Sequence, residues 1–442
     1  MNQAESKKGL NISAKSFITA IVVIFILMVL TYGLTFVVPG GGISFWKWIA
    51  SPILVLGAED NVSLIAVLIF LLVIGGVFNC LDKCGIMKYL LDKITYRFGK
   101  ERYRLLALVT LFFMAMGAFI GSFEECVPLV PIVVALAVRL GWNPLVGLGM
   151  SLLAIGCGFS SGICNPFTVG VAQELAGLPM FSGIWLRILA FVLVYGLLLG
   201  FLYWYAKRIE SPIQTGMKEQ DFVNNIKMDR GLTWFLCILG VGILLVLCSP
   251  FFTVLQDYTM IIVAITFLLA GMTASTLSGQ GSNLGQTFLY GVQSVLPAVL
   301  MILMANSIKY TMVEGNILTP LLDSAVSTVS DLPKWSVVLF VYALVLAMNF
   351  FIASGSAKAF ILMPIIIPIA EAFGISAQLC IVAYAFGDGF SNVFYPTNPV
   401  LLISLGLADV SYGKWVKWSV KFQVLNLILT SGLLLLGFVV GY

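Results

Sequence analysis

Apolar runs near residues 17–39, 62–80, 143–177, 182–206, 231–252, 257–275, 291–309, 376–406 and 415–440 each come close to or exceed the ~20 residues that a helix needs to bridge a bilayer. A water-soluble fold has nowhere to bury so many such runs. Of the 442 residues, 60% are hydrophobic and 10% are charged, whereas a soluble domain carries about 25% charged residues. The solvent is therefore lipid, and the expected fold is an all-α polytopic membrane protein.

Two further apolar regions, 103–140 and 333–372, are interrupted in the middle by polar clusters. The first cluster is Gly121-Ser122-Phe123-Glu124-Glu125 and the second is Ser354-Gly355-Ser356-Ala357-Lys358. Such groups at membrane depth need protein or water around them. Each region is therefore expected to be a re-entrant hairpin with a polar tip, which gives about nine transmembrane helices plus two hairpins. Reading each region as two full spans gives the same sidedness. Amphipathic stretches at 87–102 and 312–331 precede the two hairpins and are expected to lie as helices at the membrane surface.

Lysine and arginine, which favour cytoplasmic loops, set the orientation. Lys7, Lys8 and Lys15, the basic stretches 83–104 and 207–230, and Lys414, Lys417 and Lys421 all fall on one side of the expected spans. Lys47, Arg187, Lys309 and Lys334 fall on the other. The N-terminus is thus expected in the cytoplasm and the chain in the bacterial inner membrane. The apolar stretch 16–39 is too long for a cleaved leader and reads as the first span.

Several function classes drop out. Histidine is absent, which removes Ser-His and Cys-His nucleophile pairs and the commonest zinc ligand. The eight cysteines are scattered without a CxxC pair, so no metal centre and no enzyme are expected. No phosphate-binding GxxxxGK[ST] loop is present. The net charge of +4 comes without a basic block suited to nucleic acid.

The two halves of the chain repeat. Pro131 and Pro364, Gly141 and Gly374, Asn165 and Asn398, and Pro166 and Pro399 are all separated by 233 positions. Each repeat also ends alike, with Gly183 and Trp185 in one and Gly413 and Trp415 in the other. Residues 1–206 form the first repeat, with hairpin 103–140 and broken helix 143–177. Residues 207–256 form a cytoplasmic linker and a connecting span. Residues 257–442 form the second repeat, with hairpin 333–372 and broken helix 376–406. Five spans separate the repeat starts, and an odd number inverts the second repeat, an arrangement common in secondary transporters.

The candidate site lies where each repeat interrupts a span with Gly, Pro and small polar residues. The first interruption runs through Gly156-Cys157-Gly158-Phe159-Ser160-Ser161-Gly162 to Asn165-Pro166. The second runs through Gly387-Asp388-Gly389-Phe390-Ser391-Asn392 to Pro396-Thr397-Asn398-Pro399. Unwound backbone exposed to lipid would cost several kcal/mol per group, so these segments are expected to face a site. Ser160, Ser161, Asp388 and Ser391 are candidate ion ligands. Ser122, Glu124, Glu125, Asn165, Ser356, Lys358, Asn392, Thr397 and Asn398 are candidate substrate contacts. Glu125 could instead cap the hairpin's second helix, and Asp388 could cap a helix end. Lys358, which matches Glu125 in the repeat, could bind a substrate carboxylate, stand in for a coupling cation, or pair with Glu124, Glu125 or Asp388. Trp46, Trp48, Trp185, Trp204, Trp335, Trp415 and Trp418 read as interfacial belts.

The segments 121–125 and 158–167, and in the second repeat 354–357, Met363-Pro364, 387–392 and Pro396-Thr397, resemble the YfcC-type family of basic amino acid antiporters. That family sits within the C4-dicarboxylate anaerobic carrier group of the ion transporter superfamily. The likeness spans about residues 15–440. It implies a scaffold domain, a mobile transport domain holding both hairpins and both broken helices, a homodimer, and elevator-type movement. The family pattern leads one to expect a neutral polar residue where Lys358 stands. The expected function is secondary active transport of a small polar metabolite across the lipid bilayer, with no cofactor beyond Na⁺ or H⁺ as coupling ion. Three carboxylates against one lysine favour an amino acid, a basic one included. A C4-dicarboxylate or other carboxylate is the alternative, and an ion channel is a remote one.

Overall fold

The structure, a computed structural model, describes residues 14–58, 61–98, 101–121, 123–179, 181–212, 225–248, 259–279, 283–317, 320 and 333–442. These residues are almost entirely helical. The helices in chain order are α1 (Ala14–Val37), α2 (Phe45–Leu54), α3 (Asn61–Lys83), α4 (Ile86–Phe98), α5 (Arg102–Ala115), α6 (Val130–Arg139), α7 (Pro144–Ser161), α8 (Val171–Leu175) and α9 (Ile184–Arg208). They continue with α10 (Ile226–Cys248), α11 (Thr259–Leu277), α12 (Leu284–Glu314), α13 (Lys334–Phe351), α14 (Gly355–Ala372), α15 (Ala377–Asn392), α16 (Pro399–Leu407) and α17 (Tyr412–Val439). Among the described residues, eight helices are long and apolar enough, by length and composition, to cross a membrane.

The surfaces of these helices fit lipid. On α9, Leu186, Ala190, Val194, Leu198, Leu202 and Ala206 recur every fourth residue and are buried. Ile188, Val192, Leu193 and Trp204 on its other face are exposed. An apolar inner stripe backed by an equally apolar outer face is stable only where the outside is hydrocarbon. The chain is an all-α, multi-pass membrane protein.

The helices sort into two groups. In one, α1, α2, α3, α10, α11 and α12 pack on one another. Helices α3 and α12 touch backbone to backbone, since a Cβ on Gly291 would lie 2.2 Å from the Gly75 carbonyl. The other group contains α5 to α9 and α13 to α17, and it holds both hairpins and both broken helices.

The hairpins are visible in how their ends close. In the first, Arg102 donates to the carbonyl of Leu140 at 3.0 Å and to that of Ser211 at 3.2 Å. In the second, the Lys334 ammonium lies 3.8 Å from where a Cβ on Gly374 would sit. The first base adjoins the C-terminal end of α9 through Ser211. The second adjoins the N-terminal end of α9, because Gln378 bonds Ser182 at 2.6 Å and Tyr442 bonds the carbonyl of Gly183. Helix α9 has 25 residues, so the two bases sit about 37 Å apart. The hairpins therefore enter from opposite ends of the bundle.

Two sequence expectations need correction. The glycines at 156, 158, 387 and 389 do not unwind their helices, because α7 runs to Ser161 and α15 to Asn392. The unwound segments follow them, at 162–165 and 393–398. Those glycines instead let helices approach closely, and a Cβ on Gly158 would lie 1.8 Å from the carbonyl of Met114. Arg187, counted among the outer-side basic residues, is 1% exposed. Trp48, Trp415 and Trp418 are buried as well. Trp48 donates to Met28 and Trp415 to Val393, whereas Trp46, Trp185, Trp204 and Trp335 are exposed. The stretch 87–102 begins as helix α4, which is tied to the first hairpin by an ion pair between Asp92 and Arg139. Most of 312–331 and half of the linker 207–230 lie outside the described residues.

Candidate functional site

Helices α7 and α15 start at opposite ends of α9. Asn143, which caps α7, bonds the Tyr205 hydroxyl at 2.8 Å, and Gln378 on the first turn of α15 bonds Ser182. The two helices run antiparallel and meet over their last turns. A Cβ on Gly156 would lie 2.4 Å from the side chain of Val393, and one on Gly389 would lie 2.4 Å from Ser160 Oγ. Gly156 and Gly389, and likewise Ser160 and Val393, are separated by 233 positions. The contact is thus reciprocal about the axis that the sequence repeat defines, and it brings the two unwound segments together.

Two helix C-termini converge there, and each concentrates partial negative charge on its unpaired carbonyls. Each is served by a buried base. Arg187 donates to the carbonyl of Gly162, at the end of α7, at 3.4 Å, and to those of Phe181 and Ser182 at 3.0 and 2.7 Å. Lys358, on the first turn of α14, reaches the last turns of α15. Its ammonium donates to Asp388 Oδ1 at 2.6 Å, to the carbonyl of Ile352 at 3.2 Å, and to Asn349 Oδ1. Lys358 and Asp388 are both 0% exposed.

Asn349, near the end of α13, is the hub of this cluster. Its amide donates to the carbonyl of Asp388, to Ser391 Oγ and to Asn392 Oδ1 at 2.9, 2.6 and 2.9 Å. Asn398 donates to Asn392 Oδ1 at 3.2 Å, and its own Oδ1 caps α16 by accepting from the amides of Val400 and Leu401. The tip is fixed further by Ser354, which caps α14, and by Tyr384, whose hydroxyl donates to the carbonyl of Gly355. Of the sequence candidates, Lys358, Asp388, Ser391, Asn392 and Asn398 thus form one connected cluster.

The other candidates are placed more loosely. Ser160 and Asn165 are buried at the first break, where Asn165 Oδ1 accepts from the amide of Thr168 at 3.3 Å. Ser161 returns its hydroxyl to the carbonyl of Cys157 on its own helix. Thr397 is buried in the second break, and Ser356 is half-buried on α14. Ser122 and the side chains of Glu124 and Glu125 lie outside the described residues. The backbone of both glutamates sits in the 3-10 turn Glu124–Leu129 at the first tip. That tip adjoins the first break, since the amide of Cys164 donates to the carbonyl of Ala118 at 3.0 Å and the rings of Phe123 and Phe159 lie 6.0 Å apart.

Around these groups, Ser160 Oγ, Thr168 Oγ1, Asp388 Oδ2 and Thr397 Oγ1 are buried without a hydrogen-bond partner among the described residues. Buried polar atoms are rarely left so, and these four lie at or beside the two breaks. Sequence reasoning missed Asn349, Thr168 and Arg187. Asn349 and Arg187 are each a lone polar residue in an apolar run, and that is the signal that could have found them.

The sequence model of the C4-dicarboxylate anaerobic carrier family, DcuC, matches residues 47–439. The chain is 29% identical to the "Putative basic amino acid antiporter YfcC" of Escherichia coli K12 over 86% of its own length and 78% of that protein's. It is 23% identical to an uncharacterized protein of Haemophilus influenzae, over 81% of this chain and 73% of the other. A solved structure, the YdaH transporter of Alcanivorax borkumensis, aligns over 97% of this chain and 99% of its own with a TM-score of 0.47 and 19% identity. The chain is a membrane transporter, and it belongs to the DcuC family of C4-dicarboxylate anaerobic carriers.

Proposed function

We propose that the chain is a secondary active exchanger of amino acids, basic ones included, in the bacterial inner membrane with its N-terminus in the cytoplasm. The observation that carries the substrate class is the Lys358–Asp388 pair. Its ammonium is held by a carboxylate, an amide oxygen and a backbone carbonyl, so it is not free to bind a substrate carboxylate. What is left is a first tip bearing two adjacent glutamates, two converging helix C-termini and several unpartnered oxygens. That balance suits a ligand with an ammonium or guanidinium group. The name of the Escherichia coli relative points the same way.

The separation of the helices into two groups supports movement of one against the other, with α1–α3 and α10–α12 as scaffold in a homodimer. Coupling by exchange or H⁺ suits a site whose cation position already holds a lysine. A C4-dicarboxylate is the competing substrate, favoured by the description of the matched family.

The test is counterflow in proteoliposomes loaded with unlabelled arginine, lysine or succinate. Labelled arginine or lysine is expected to accumulate against its amino acid counterpart and not against succinate. Accumulation of succinate alone would replace this reading with the dicarboxylate one.

A further inference from the structure

Lys358 Nζ has the surroundings of a bound metal cation. Three oxygens from three different sources converge on it: Asp388 Oδ1, Asn349 Oδ1 and the backbone carbonyl of Ile352. They come from a carboxylate, a side-chain amide and the first unwound residue between α13 and α14, the hard oxygen set that suits cations without ligand-field preference. A fourth oxygen, Asp388 Oδ2, is buried beside them without a hydrogen-bond partner among the described residues. Asp388 itself lies on the last turns of α15, where the helix dipole adds negative potential. The first break carries its own cation in Arg187, bound to the carbonyl end of α7.

We propose that Lys358 is a tethered cation filling a latent monovalent-metal site, so that the native protein needs no Na⁺ at its second hairpin and becomes Na⁺-binding once the ammonium is removed. The ammonium and Na⁺ meet the same electrostatic need of the buried Asp388. Only the ammonium is fixed to the chain, so it cannot leave with the substrate. The meaning of this site for coupling rests on the transporter reading, but its test is a binding measurement that needs no substrate and no transport.

The experiment is thermal unfolding of purified wild type, Lys358→Ala, and the double variant Lys358→Met with Asp388→Ile, in NaCl and in choline chloride at equal ionic strength. A ligand that binds only the folded state raises Tm by mass action. The wild type is expected to melt alike in both salts. Lys358→Ala is expected to be destabilised in choline and to recover by several degrees, saturably, as Na⁺ is added. The double variant, with neither charge, is expected to fold and to ignore Na⁺. A wild type stabilised by Na⁺ over choline would overturn the proposal, and so would a Lys358→Ala protein that melts or unfolds identically in the two salts. A Na⁺ response that persists in the double variant would place the cation elsewhere and overturn it too.

Discussion

Where the second repeat has Asn349, Asp388, Ser391 and Asn392, the first has, 233 positions earlier, Met116, Ile155, Gly158 and Phe159. The backbone pattern is shared: a hairpin whose tip lies against a helix that breaks after its last turn. The means of holding it differ. In the first repeat the tip is held by Phe123 against Phe159 and by the amide of Cys164 on the carbonyl of Ala118. In the second, Phe123, Phe159 and Cys164 are replaced by Ser356, Asn392 and Thr397, and an ion pair with an asparagine hub does the holding. Among the described residues, the contacts that hold the first tip are thus aromatic and backbone ones. A buried ion pair is a poor stabiliser compared with well-packed apolar side chains, so the charges of the second repeat are better understood as serving a site than as serving the fold.

This contrast can be broken most forcefully at Asp388. Asp388→Asn leaves the Lys358 ammonium buried without its counter-charge and is expected to cost about 3–5 kcal/mol. Its apolar counterpart in the first repeat, Ile155→Val, is expected to cost about 1 kcal/mol. Chemical denaturation in detergent checks both, and equal losses would erase the distinction between the repeats.

A smaller asymmetry is expected where the helices cross. A Cβ on Gly389 would meet not only Ser160 Oγ but also the Ser160 backbone nitrogen at 2.5 Å, whereas one on Gly156 meets only the side chain of Val393. Methyl groups can turn aside and backbone cannot. Gly389→Ala is thus expected to cost about 1–3 kcal/mol from overpacking, and Gly156→Ala less. The ordering of their melting temperatures checks this, and the reverse order would mean that the crossing is misplaced. The smallest expected effect is at Trp415, whose indole donates to the carbonyl of Val393 at 2.8 Å at the start of the second break. Trp415→Phe removes one hydrogen bond, with a loss of about 1 kcal/mol expected in the same melting assay.

The architecture was legible because lipid imposes a length and a polarity on every span, and because Pro131, Gly141 and Asn165 recur at one spacing in the second half. The break positions were read too early. Glycine in sequence signals either unwinding or close approach, and only the neighbouring helix decides which. Gly158 lies against the carbonyl of Met114, and Gly389 against Ser160. Lys358 was legible as a candidate but not as the partner of Asp388 alone, since three carboxylates were within reach on sequence grounds. Asn349 went unseen because nothing in an apolar run says which way a single amide points. Arg187 was placed on the outer side from the charge pattern alone, which says nothing of burial. Its burial depends on the carbonyls of Gly162, Phe181 and Ser182 folding over it.

The most direct measurement compares proteoliposome uptake by wild type and by the double variant Lys358→Met with Asp388→Ile, after calorimetry has matched their stabilities. Replacing the pair by apolar side chains of similar volume is expected to leave the melting temperature close to that of the wild type and to abolish transport. A double variant that folds as well and transports at the wild-type rate would show that the pair plays no part in the transport site.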